Sequence, residues 1–295
     1  MLALASEYPD WESDGANWPN RNASRFIRAG GMTWHVQEMG PAKAPPFLLL
    51  HGTGAANHSF RDLMPILARE WRVIAPDLPG HGFTTGAQSR DLTLPGMANA
   101  IGELLAAIGA KPVRTAGHSA GAAILLQMSL AGNLPKAAIF GLNSALEPIR
   151  GNALLSPMAK LLFHNPLTSR LVSLQARVSG ITGRLLDATG SRIDATGREC
   201  YAMLMRHPAH VNGAIGMMAK WELGELLRNL GKINAAVTLI ASQDDPMVPS
   251  QVSRKASMLV PGCKLVIVNH GGHLLHEVDP VMVAGLLSEK QAEAA

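Results

Sequence analysis

Short runs of aliphatic and β-branched residues alternate along most of the chain with longer stretches whose apolar positions recur every three or four residues. The first pattern predicts buried strands and the second predicts helices, and their alternation indicates an α/β fold with a mostly parallel sheet. The predicted strands are "PFLLLHG", "RVIAPD", "VRTAGHS", "KAAIFGLN", "AAVTLIAS" and "KLVIVN". The clearest predicted helices are "FRDLMPILARE", "GMANAIGELLAAIG" and "AGAAILLQMSLAG".

Two parts of the chain depart from this alternation. "SRFIRAGGMTWHVQEMG" predicts an antiparallel strand pair that turns at Gly30 and Gly31. Residues 145–222 contain helical, Met- and Arg-containing sequence without a clear strand, which indicates a helical cap inserted between two strands of the sheet. The predicted organisation is therefore an N-terminal arm docked by Trp11 and Trp18 (1–20), an α/β core (21–144 and 223–295) and the cap (145–222).

Composition narrows the class of protein. The 295 residues are 47% hydrophobic and 16% charged, which favours a large buried core over a disordered chain. Cys200 and Cys263 cannot form a disulfide framework and lack zinc-site spacing, so reduced thiols are expected. The N-terminus lacks a signal-peptide pattern, and no apolar stretch approaches the ~20 residues of a membrane-spanning helix. Neither secretion nor a transmembrane segment is expected.

Charge excludes further classes. The net charge is +4, and no basic run is interleaved with aromatic residues, so nucleic-acid binding is not expected. No glycine-rich phosphate loop with a lysine is present, so no nucleotide and no other cofactor is expected. Between residues 145 and 220 nine Lys and Arg stand against four Asp and Glu, which makes the predicted cap the basic part of the chain.

The segment Gly117-His118-Ser119-Ala120-Gly121 carries the first candidate for chemistry. A Gly-x-Ser-x-Gly pattern alone is a weak signal in a chain with 29 glycines. Here an apolar strand precedes it and an Ala-rich helix follows at once, which is the setting that exposes a nucleophilic serine on a sharp turn. Gly117 and Gly121 are expected because strand and helix approach too closely for side chains. Ser119 is therefore the predicted nucleophile.

A serine nucleophile needs a histidine base and a carboxylate that orients it, and in such folds the chain order is Ser, Asp or Glu, His. "QDDPMVPS" supplies the acid. Asp245 is favoured because it ends the turn before Pro249 begins the next helix, and Asp244 is the alternative. "NHGGHLLHE" supplies the base. His273 is favoured because it follows Gly-Gly directly after a strand.

The other two histidines of this segment receive different predictions. His276 falls within a helical turn, where a packed or solvated side chain is expected. A metal site formed by His270, His273 and His276 is not predicted, because no carboxylate or cysteine cluster completes it.

The oxyanion of a tetrahedral intermediate requires two backbone N–H groups. Ala120, directly after the nucleophile, supplies one, and Thr53 in "HGTG" is predicted to supply the other, with Gly52 and Gly54 allowing the loop to turn. His51 is predicted to shape this loop by hydrogen bonding. The predicted substrate-binding residues are His118, Phe60 and Met217.

The motifs "HGTG", "APDLPGHGFT", "GHSAG", "DDPMVP" and "GGHLLHE" resemble those of the α/β-hydrolase superfamily. The resemblance implies a central sheet with helices on both faces, and Ser119, Asp245 and His273 as a catalytic triad. A serine nucleophile argues against haloalkane dehalogenase and epoxide hydrolase chemistry, which need Asp at this position. The chain departs from the common pattern at Ser242, where glycine is frequent, and at Phe60, where tryptophan is common.

A closer resemblance is to the hydrolase-fold proteins of bacteriochlorophyll gene clusters, which are linked to magnesium chelatase as accessory proteins. The segments that carry it are "WPNRNASRFIRAGGMTWHVQEMG", "HGTGAANHSFRDLMPIL", "GHSAGAAILLQM" and "GMMAKWEL". The resemblance implies a role in bacteriochlorophyll synthesis and photosynthesis, in the cytoplasm or at the periphery of photosynthetic membranes. It also implies a small-molecule ester or a tetrapyrrole as substrate, and magnesium-chelatase subunits as partners.

Two functions remain open from the sequence. The first is ester hydrolysis through an acyl-enzyme on Ser119. The second is a non-catalytic accessory protein that holds or delivers a tetrapyrrole to magnesium chelatase. A basic, methionine-containing cap could cover such a ring, or its arginines could simply be solvated and its methionines form the cap core. The methionines concerned are Met158, Met203, Met205, Met217 and Met218.

Overall fold

An eight-stranded sheet forms the centre of the molecule in the computed structural model, which describes residues 6–147 and 166–288. The strands follow the order β1-β2-β4-β3-β5-β6-β7-β8. The pairs β1–β2 and β2–β4 are antiparallel, and the six strands from β3 to β8 are mutually parallel. The strands are β1 (Ser24–Ala29), β2 (Met32–Met39), β3 (Pro46–Leu50), β4 (Arg72–Pro76), β5 (Arg114–His118), β6 (Ala138–Leu142), β7 (Val237–Ser242) and β8 (Lys264–Val268). The predicted α/β class with a mostly parallel sheet is confirmed.

Helices cover both faces of the sheet, which explains why the central strands are almost continuously apolar. Successive residues of β3 show the division, since Leu48 and Leu50 enter the core on one face while Phe47 and Leu49 enter the core on the other. The helices are α1 (Leu63–Leu67), α2 (Leu94–Ala107), α3 (Ala120–Leu130), α4 (Pro166–Val178), α5 (Ile181–Asp187), α6 (Ala195–Met205), α7 (Pro208–Ala219), α8 (Gly224–Asn229), α9 (Ser250–Leu259), α10 (Leu275–Val278) and α11 (Pro280–Ser288).

The helix predicted from "FRDLMPILARE" is shorter than expected. The structure divides this region into a 3-10 turn, Asn57–Phe60, and the five-residue helix α1. Pro65 explains the division, because a proline lacks the N–H needed in a helix interior and is tolerated only in the first turn. The helix therefore starts at Leu63 and ends soon afterwards.

Helices α4 to α7 lie between β6 and β7 along the chain and contact the loops at the carboxyl ends of the parallel strands. His210 of α7 donates from Nε2 to the carbonyl oxygen of Gly54 (3.2 Å), and Ser191 donates from Oγ to that of Gly271 (2.7 Å). This placement fits a cap, whose boundaries at residues 145 and 222 stay a prediction. Met158, one of the methionines named above, lies outside the described residues.

The described part of the N-terminal arm is docked by its two tryptophans, as predicted. Trp18 is buried and donates from Nε1 to Asn57 Oδ1 (2.9 Å), and the Trp11 ring lies 4.9 Å from that of Phe83. The arm also reaches α7, because the N–H of Ala209 donates to the carbonyl oxygen of Glu7 (2.9 Å). It therefore contacts both the core and the helices that lie between β6 and β7.

Both cysteines are free, as predicted. Burial raises the pKa of Cys200 to about 12 and that of Cys263 to about 11, so both are protonated at neutral pH. None of the helices in the described ranges combines the length and the hydropathy needed to cross a bilayer.

Candidate active site

Ser119 occupies a sharp turn between the end of β5 at His118 and the start of α3 at Ala120. Its backbone has φ 52° and ψ −112°, a conformation that a non-glycine residue rarely adopts. Hydrogen bonds hold it there, because the N–H of Ser119 donates to the carbonyl of Leu142 (2.9 Å) and its carbonyl accepts from the N–H of Ala145 (3.1 Å). Strain of this kind is maintained only where the surroundings determine it, and it is frequent at reactive residues.

The two glycines that flank the turn are required by the packing. A Cβ atom on Gly121 would lie 2.2 Å from the carbonyl oxygen of Leu50, and one on Gly117 would lie 2.4 Å from the carbonyl carbon of Gly121. These distances are far below van der Waals contact. The close approach of strand and helix expected from the sequence is present.

Asp245 and His273 form a buried pair at the same edge of the sheet. Asp245 Oδ2 lies 2.7 Å from His273 Nδ1, and Asp245 Oδ1 accepts hydrogen bonds from the N–H groups of Met247 (2.8 Å) and Val248 (2.9 Å). These two amides fix the carboxylate. Because His273 uses Nδ1–H to donate to Asp245, its Nε2 carries the lone pair and can accept a proton.

Asp244, the alternative acid, has another role in the structure. Its Oδ1 accepts from the hydroxyl of Ser242 (2.5 Å) and from the N–H of Gly272 (2.9 Å), directly before His273. Partial burial acts to raise its pKa, but these hydrogen bonds outweigh that effect and hold the pKa of Asp244 below its usual value. Ser242 thus helps to fix the loop that carries His273.

Asn143 was missed by the sequence analysis although it holds the histidine loop directly. Its Nδ2 donates to the carbonyl oxygens of His273 (2.8 Å) and Gly272 (2.9 Å), and its Oδ1 accepts from the N–H of Ser242 (2.8 Å). Asn143 follows β6 with φ 45°, a region that asparagine tolerates better than most residues. Its position immediately after a strand that neighbours β5 was the one available signal.

His118, directly before Ser119 in the sequence, contacts the predicted base. The ring of His118 is 4.7 Å from that of His273, and His118 Nε2–H donates to the carbonyl oxygen of His273 (2.9 Å). Among the hydrogen bonds of the described residues, none joins Ser119 Oγ to His273 Nε2. Catalytic hydrogen bonds of this type often form only when a substrate is bound.

The predicted oxyanion loop runs against the nucleophile. A Cβ atom on Gly52 would lie 3.2 Å from Ser119 Cβ, so the chain leading to Thr53 passes directly beside the serine. The N–H of Ala120 is the first of helix α3 and has no partner within the helix. Both predicted donors, Thr53 and Ala120, therefore adjoin Ser119 or the loop that touches it.

His51 shapes this loop, as predicted from the sequence. Its Nδ1–H donates to the carbonyl oxygen of Gly52 (2.8 Å), while its Nε2 accepts from the N–H of Leu78 (2.9 Å). These two hydrogen bonds fix one neutral tautomer. Burial also lowers the pKa of His51, which keeps the ring uncharged at neutral pH.

The three predicted substrate-binding side chains are all buried. His118 is packed against His273 and His276, and Phe60 lies in the core with its ring 5.2 Å from that of His276. Met217 is fully buried, and its sulfur accepts a hydrogen bond from Thr53 Oγ1 (3.3 Å). In this structure they are packing residues of the protein interior around the site, and Met217 links helix α7 to the predicted oxyanion loop.

The three histidines near the C-terminus point in different directions. His270 is exposed, His273 faces Asp245, and His276 is buried with Nε2 2.8 Å from Ser59 Oγ. Burial, assisted by His273 and Arg61, lowers the pKa of His276 to about 3. The described residues contain no group of three His, Cys, Asp or Glu side chains placed to hold a metal ion.

A buried ion pair stands behind the histidine loop. Arg61 Nη1 donates to Glu277 Oε2 (2.5 Å), and Arg61 Nη2 donates to Asp194 Oδ1 at the start of α6 (2.7 Å). The other carboxylate oxygen of Glu277 accepts from Ser59 Oγ (2.7 Å) and Tyr201 OH (2.8 Å). Every charged atom of Glu277 is thereby paired.

Two surface cavities of the described residues lie away from Ser119. One, of about 540 Å³, is lined by the arm together with Arg177, Arg206 and His207. The other, of about 250 Å³, lies between the arm, the loop after β4 and helices α4 and α7. Neither is lined by Ser119, Asp245 or His273.

The sequence matches a known protein family and a relative of similar length. The model of the family described as alpha/beta hydrolase fold matches residues 45–280. The chain is 41% identical over 278 residues to the magnesium-chelatase 30 kDa subunit of Rhodobacter capsulatus. The aligned region covers 92% of this chain and 95% of that protein.

Solved structures share the architecture at lower identity. An alpha/beta hydrolase fold protein from Burkholderia ambifaria superposes with a TM-score of 0.75 at 20% identity, over 90% of this chain and 98% of that one. A hydrolase from Pseudomonas aeruginosa gives a TM-score of 0.73 at 21% identity, over 89% and 96%. At these identities the likeness shows the fold alone.

Proposed function

Because the chain belongs to the α/β-hydrolase family, we propose that it is a serine hydrolase that cleaves an ester through an acyl-enzyme on Ser119. The observation that carries the proposal is the 2.7 Å pair of Asp245 and His273 at the sheet edge where Ser119 occupies a strained turn. Nucleophilic catalysis by serine requires a histidine base that a carboxylate orients, together with a serine hydroxyl held for attack.

Acylation would begin with attack of Ser119 Oγ on the ester carbonyl carbon while its proton passes to His273 Nε2. Asp245 stabilises the imidazolium by accepting from Nδ1–H. Collapse of the tetrahedral intermediate breaks the bond to the alcohol, which leaves with the proton held by His273. The acyl group remains on Ser119.

Deacylation repeats these steps with water. His273 Nε2 takes a proton from water, the hydroxide oxygen attacks the acyl carbon, and the second tetrahedral intermediate releases the acid while Ser119 Oγ regains the proton. In both intermediates the oxyanion accepts from the N–H groups of Thr53 and Ala120. Loss of one such donor typically costs about 10²–10³ in rate.

The family relationship also suggests where this chemistry acts. The relative from Rhodobacter capsulatus bears the name of a magnesium-chelatase subunit. We therefore include in the proposal an ester-bearing tetrapyrrole, or a smaller ester near that step of bacteriochlorophyll synthesis, as substrate, with chelatase subunits as partners. The proposed place of action is the cytoplasm, at the edge of a photosynthetic membrane.

Labelling with a fluorophosphonate probe tests the chemistry, because the probe forms a stable adduct only with an activated serine. We expect the wild-type protein to be labelled at Ser119, and both Ser119→Ala and His273→Ala to lose the adduct. Ser257→Ala is the matched control, since within the described residues the Ser257 hydroxyl donates locally to the carbonyl of Arg254. If the wild-type protein, correctly folded, stays unlabelled, the hydrolase proposal is wrong.

A second candidate is a non-catalytic accessory protein of magnesium chelatase. Two observations favour it: the relative's name is that of a subunit, and Ser119 is not hydrogen-bonded to His273 among the described residues. Complementation of a strain that lacks the protein and accumulates pigment intermediates distinguishes the catalytic role from the accessory role. If a Ser119→Ala variant fully restores pigment synthesis, the accessory role is correct, whereas failure to restore it supports catalysis.

Tetrapyrrole binding has its own test. Arg177 and Arg206 are exposed on the helices between β6 and β7. Porphyrin affinity, followed by fluorescence quenching, should fall in Arg177→Ala and Arg206→Ala if the basic cap holds the propionate or ester edge of the ring. Unchanged porphyrin affinity in both variants would contradict tetrapyrrole binding by the cap. It would not bear on the proposed catalysis by Ser119.

A further inference from the structure

Helix α4 packs with its polar side inward and its leucines outward. A helix on a globular core normally does the reverse, because burying apolar side chains is what holds it in place. The side chains that α4 buries are Thr168 (8% exposed), Ser169 (8%) and Ser173 (2%). Those that it exposes are Leu167 (57%), Leu171 (63%) and Leu174 (50%).

The three leucines form one continuous face. They are spaced four and three residues apart, so at about 3.6 residues per turn they lie along one side of the helix over roughly 10 Å. The buried side costs little, because the Ser173 hydroxyl donates to the carbonyl oxygen of Ser169 (2.6 Å) within the helix. The leucine face is thus the part of α4 that a partner would bury.

Basic side chains border this face. Arg170 and Arg177 are exposed on one flank of the leucine face, and Arg184 is exposed on the neighbouring helix α5 together with Leu185 (52%). Arg170 pairs with exposed Glu7 (2.8 Å), which offsets its charge, whereas Arg177 donates to the neutral carbonyl oxygen of Arg206 (3.2 Å), which leaves its positive charge at the surface. The segment from residue 145 to 220 as a whole has nine basic and four acidic residues.

An apolar face bordered by arginines is complementary to an anionic lipid bilayer. In such helices the apolar side chains enter the boundary between headgroups and acyl chains, and the basic side chains meet the phosphates. The charge of the bordering arginines therefore favours the lipid surface.

We propose that the leucine face of α4, formed by Leu167, Leu171 and Leu174, docks the protein onto the surface of an anionic phospholipid bilayer. Docking brings the helices between β6 and β7 to the membrane, where an apolar substrate would be delivered. The inference specifies the location suggested above and is independent of the chemistry of Ser119.

Vesicle flotation with the full-length chain tests the docking. Vesicles of phosphatidylcholine with about one third phosphatidylglycerol are compared with vesicles of phosphatidylcholine alone. We expect the wild-type protein to float with the anionic vesicles, and binding to weaken about tenfold or more in 0.5 M salt or without the anionic lipid, because the arginine contribution is screened or lost. The variant Leu167→Gln/Leu171→Gln/Leu174→Gln should lose binding by at least tenfold.

A matched control uses exposed apolar residues elsewhere. Met258 (78%) and Leu259 (54%) are exposed at the end of α9, so Met258→Gln/Leu259→Gln should float like the wild-type protein. Fluorophosphonate labelling in the absence of vesicles should be equal in both variants. That comparison separates a failure of docking from a failure of the proposed hydrolase.

Three results would overturn the proposal. The first is a wild-type protein that does not float with anionic vesicles, or a leucine variant that floats equally well. The second is a concentration-dependent dimer, seen by analytical ultracentrifugation, that the leucine substitutions abolish, since the face would then join two copies. The third is a melting temperature lowered by several degrees in the leucine variant, because the face would then be packed within the chain itself.

Discussion

Gly121 is the residue whose replacement should damage the nucleophile turn most directly. A Cβ atom would stand 2.2 Å from the backbone oxygen of Leu50, and a backbone atom cannot rotate away as a side chain can. We expect Gly121→Ala to lower the free energy of unfolding by about 3 kcal/mol and, by displacing Ser119, to slow fluorophosphonate labelling about 100-fold. Urea unfolding and labelling rates measure the two effects.

Gly285 provides the matched control for this prediction. It lies inside helix α11, and a Cβ atom there would meet no atom within 4 Å. Gly285→Ala should therefore stabilise the protein by about 0.5–1 kcal/mol and leave labelling unchanged. If both glycine substitutions had the same effect, the steric explanation of the turn would be contradicted.

Asn143 should act on reactivity by positioning His273. Asn143→Gly keeps the positive φ of 45° accessible but removes the hydrogen bonds to His273, Gly272 and Ser242. We expect the free energy of unfolding to fall by about 2–3 kcal/mol and labelling of Ser119 to slow at least tenfold at a temperature where the variant is fully folded.

The control for Asn143 is an asparagine whose hydrogen bond is local. Asn229 donates only to the carbonyl of Glu225 on the surface of α8, so Asn229→Ala should label like the wild-type protein. Labelling of folded Asn143→Gly at the wild-type rate would show that Asn143 stabilises the loop without positioning the base.

Individual residues differ in how far the sequence could reveal them. Asp245 and His273 could be placed because each follows a strand in the order that a serine triad requires, and the structure pairs them at 2.7 Å. Asn143 could not, because its role depends on hydrogen bonds to residues about 100 to 130 positions away. Ser242 could be recognised only as a departure from the common pattern, without its hydrogen bond to Asp244. No local pattern encodes such contacts.

At the scale of helices and strands, the buried ion pair of Arg61 and Glu277 connects separate elements. It joins the turn before α1 to α10, and Asp194 extends it to α6. Burial disfavours the charge of Arg61, but the neighbouring carboxylates outweigh that effect and raise its pKa. Removing Glu277 would leave a buried cation with only the exposed Asp194 and Asp62 as partners.

We therefore expect Glu277→Ala to lower the free energy of unfolding by about 3–5 kcal/mol, as for other broken buried pairs. Lys255→Ala is the control, because the Lys255–Glu147 pair is largely exposed and such pairs contribute at most about 1 kcal/mol. Urea unfolding at pH 7 measures both. Equal, small effects would mean that Arg61 is hydrated after the substitution and that the pair does not hold these elements together.

Strands were easier to predict than helices. A strand buried on both faces needs only a run such as "FLLL", and β3 begins and ends almost where that run does. Helix α4 could not be described correctly, because periodicity indicates a helix whose apolar side faces the core, and here the leucines face solvent. The direction that a helix faces depends on its neighbours, and those are set by the tertiary structure.

Across the molecule as a whole, nine histidines of the described residues are buried. Burial lowers the pKa of six of them, to about 4 for His210 and about 3 for His276. The other four with lowered pKa values are His51, His58, His81 and His118. All six rings are therefore neutral in the folded protein over the range in which a histidine of the unfolded chain takes up a proton, near pH 6.5.

This difference predicts acid lability. As the pH falls below about 6.5, the unfolded chain binds protons that the folded protein does not, so the free energy of unfolding falls. Each ring removes up to about 1.4 kcal/mol per pH unit, and a typical domain has only about 5–15 kcal/mol in total. We expect the urea concentration at the midpoint of unfolding to fall steeply between pH 6.5 and 5. Tryptophan fluorescence measures the unfolding at each pH. A midpoint constant down to pH 5 would contradict it.

His58 allows this effect to be assigned to one ring. Its side chain is buried with no hydrogen-bonding partner for either ring nitrogen among the described residues, and the ring packs edge-to-face against Trp18 (5.1 Å) and Tyr201 (4.5 Å). Phenylalanine keeps these contacts and removes two unpaired polar atoms and one acid-labile group.

His58→Phe should therefore reduce the dependence of the unfolding free energy on pH, between pH 6.5 and 5, by up to about 1.4 kcal/mol per unit. His58→Leu, with a smaller side chain, should reduce it equally even if phenylalanine is too large for the site. Urea titrations at four pH values give the slopes, and slopes equal to that of the wild-type protein in both variants would show that His58 does not gain its proton on unfolding.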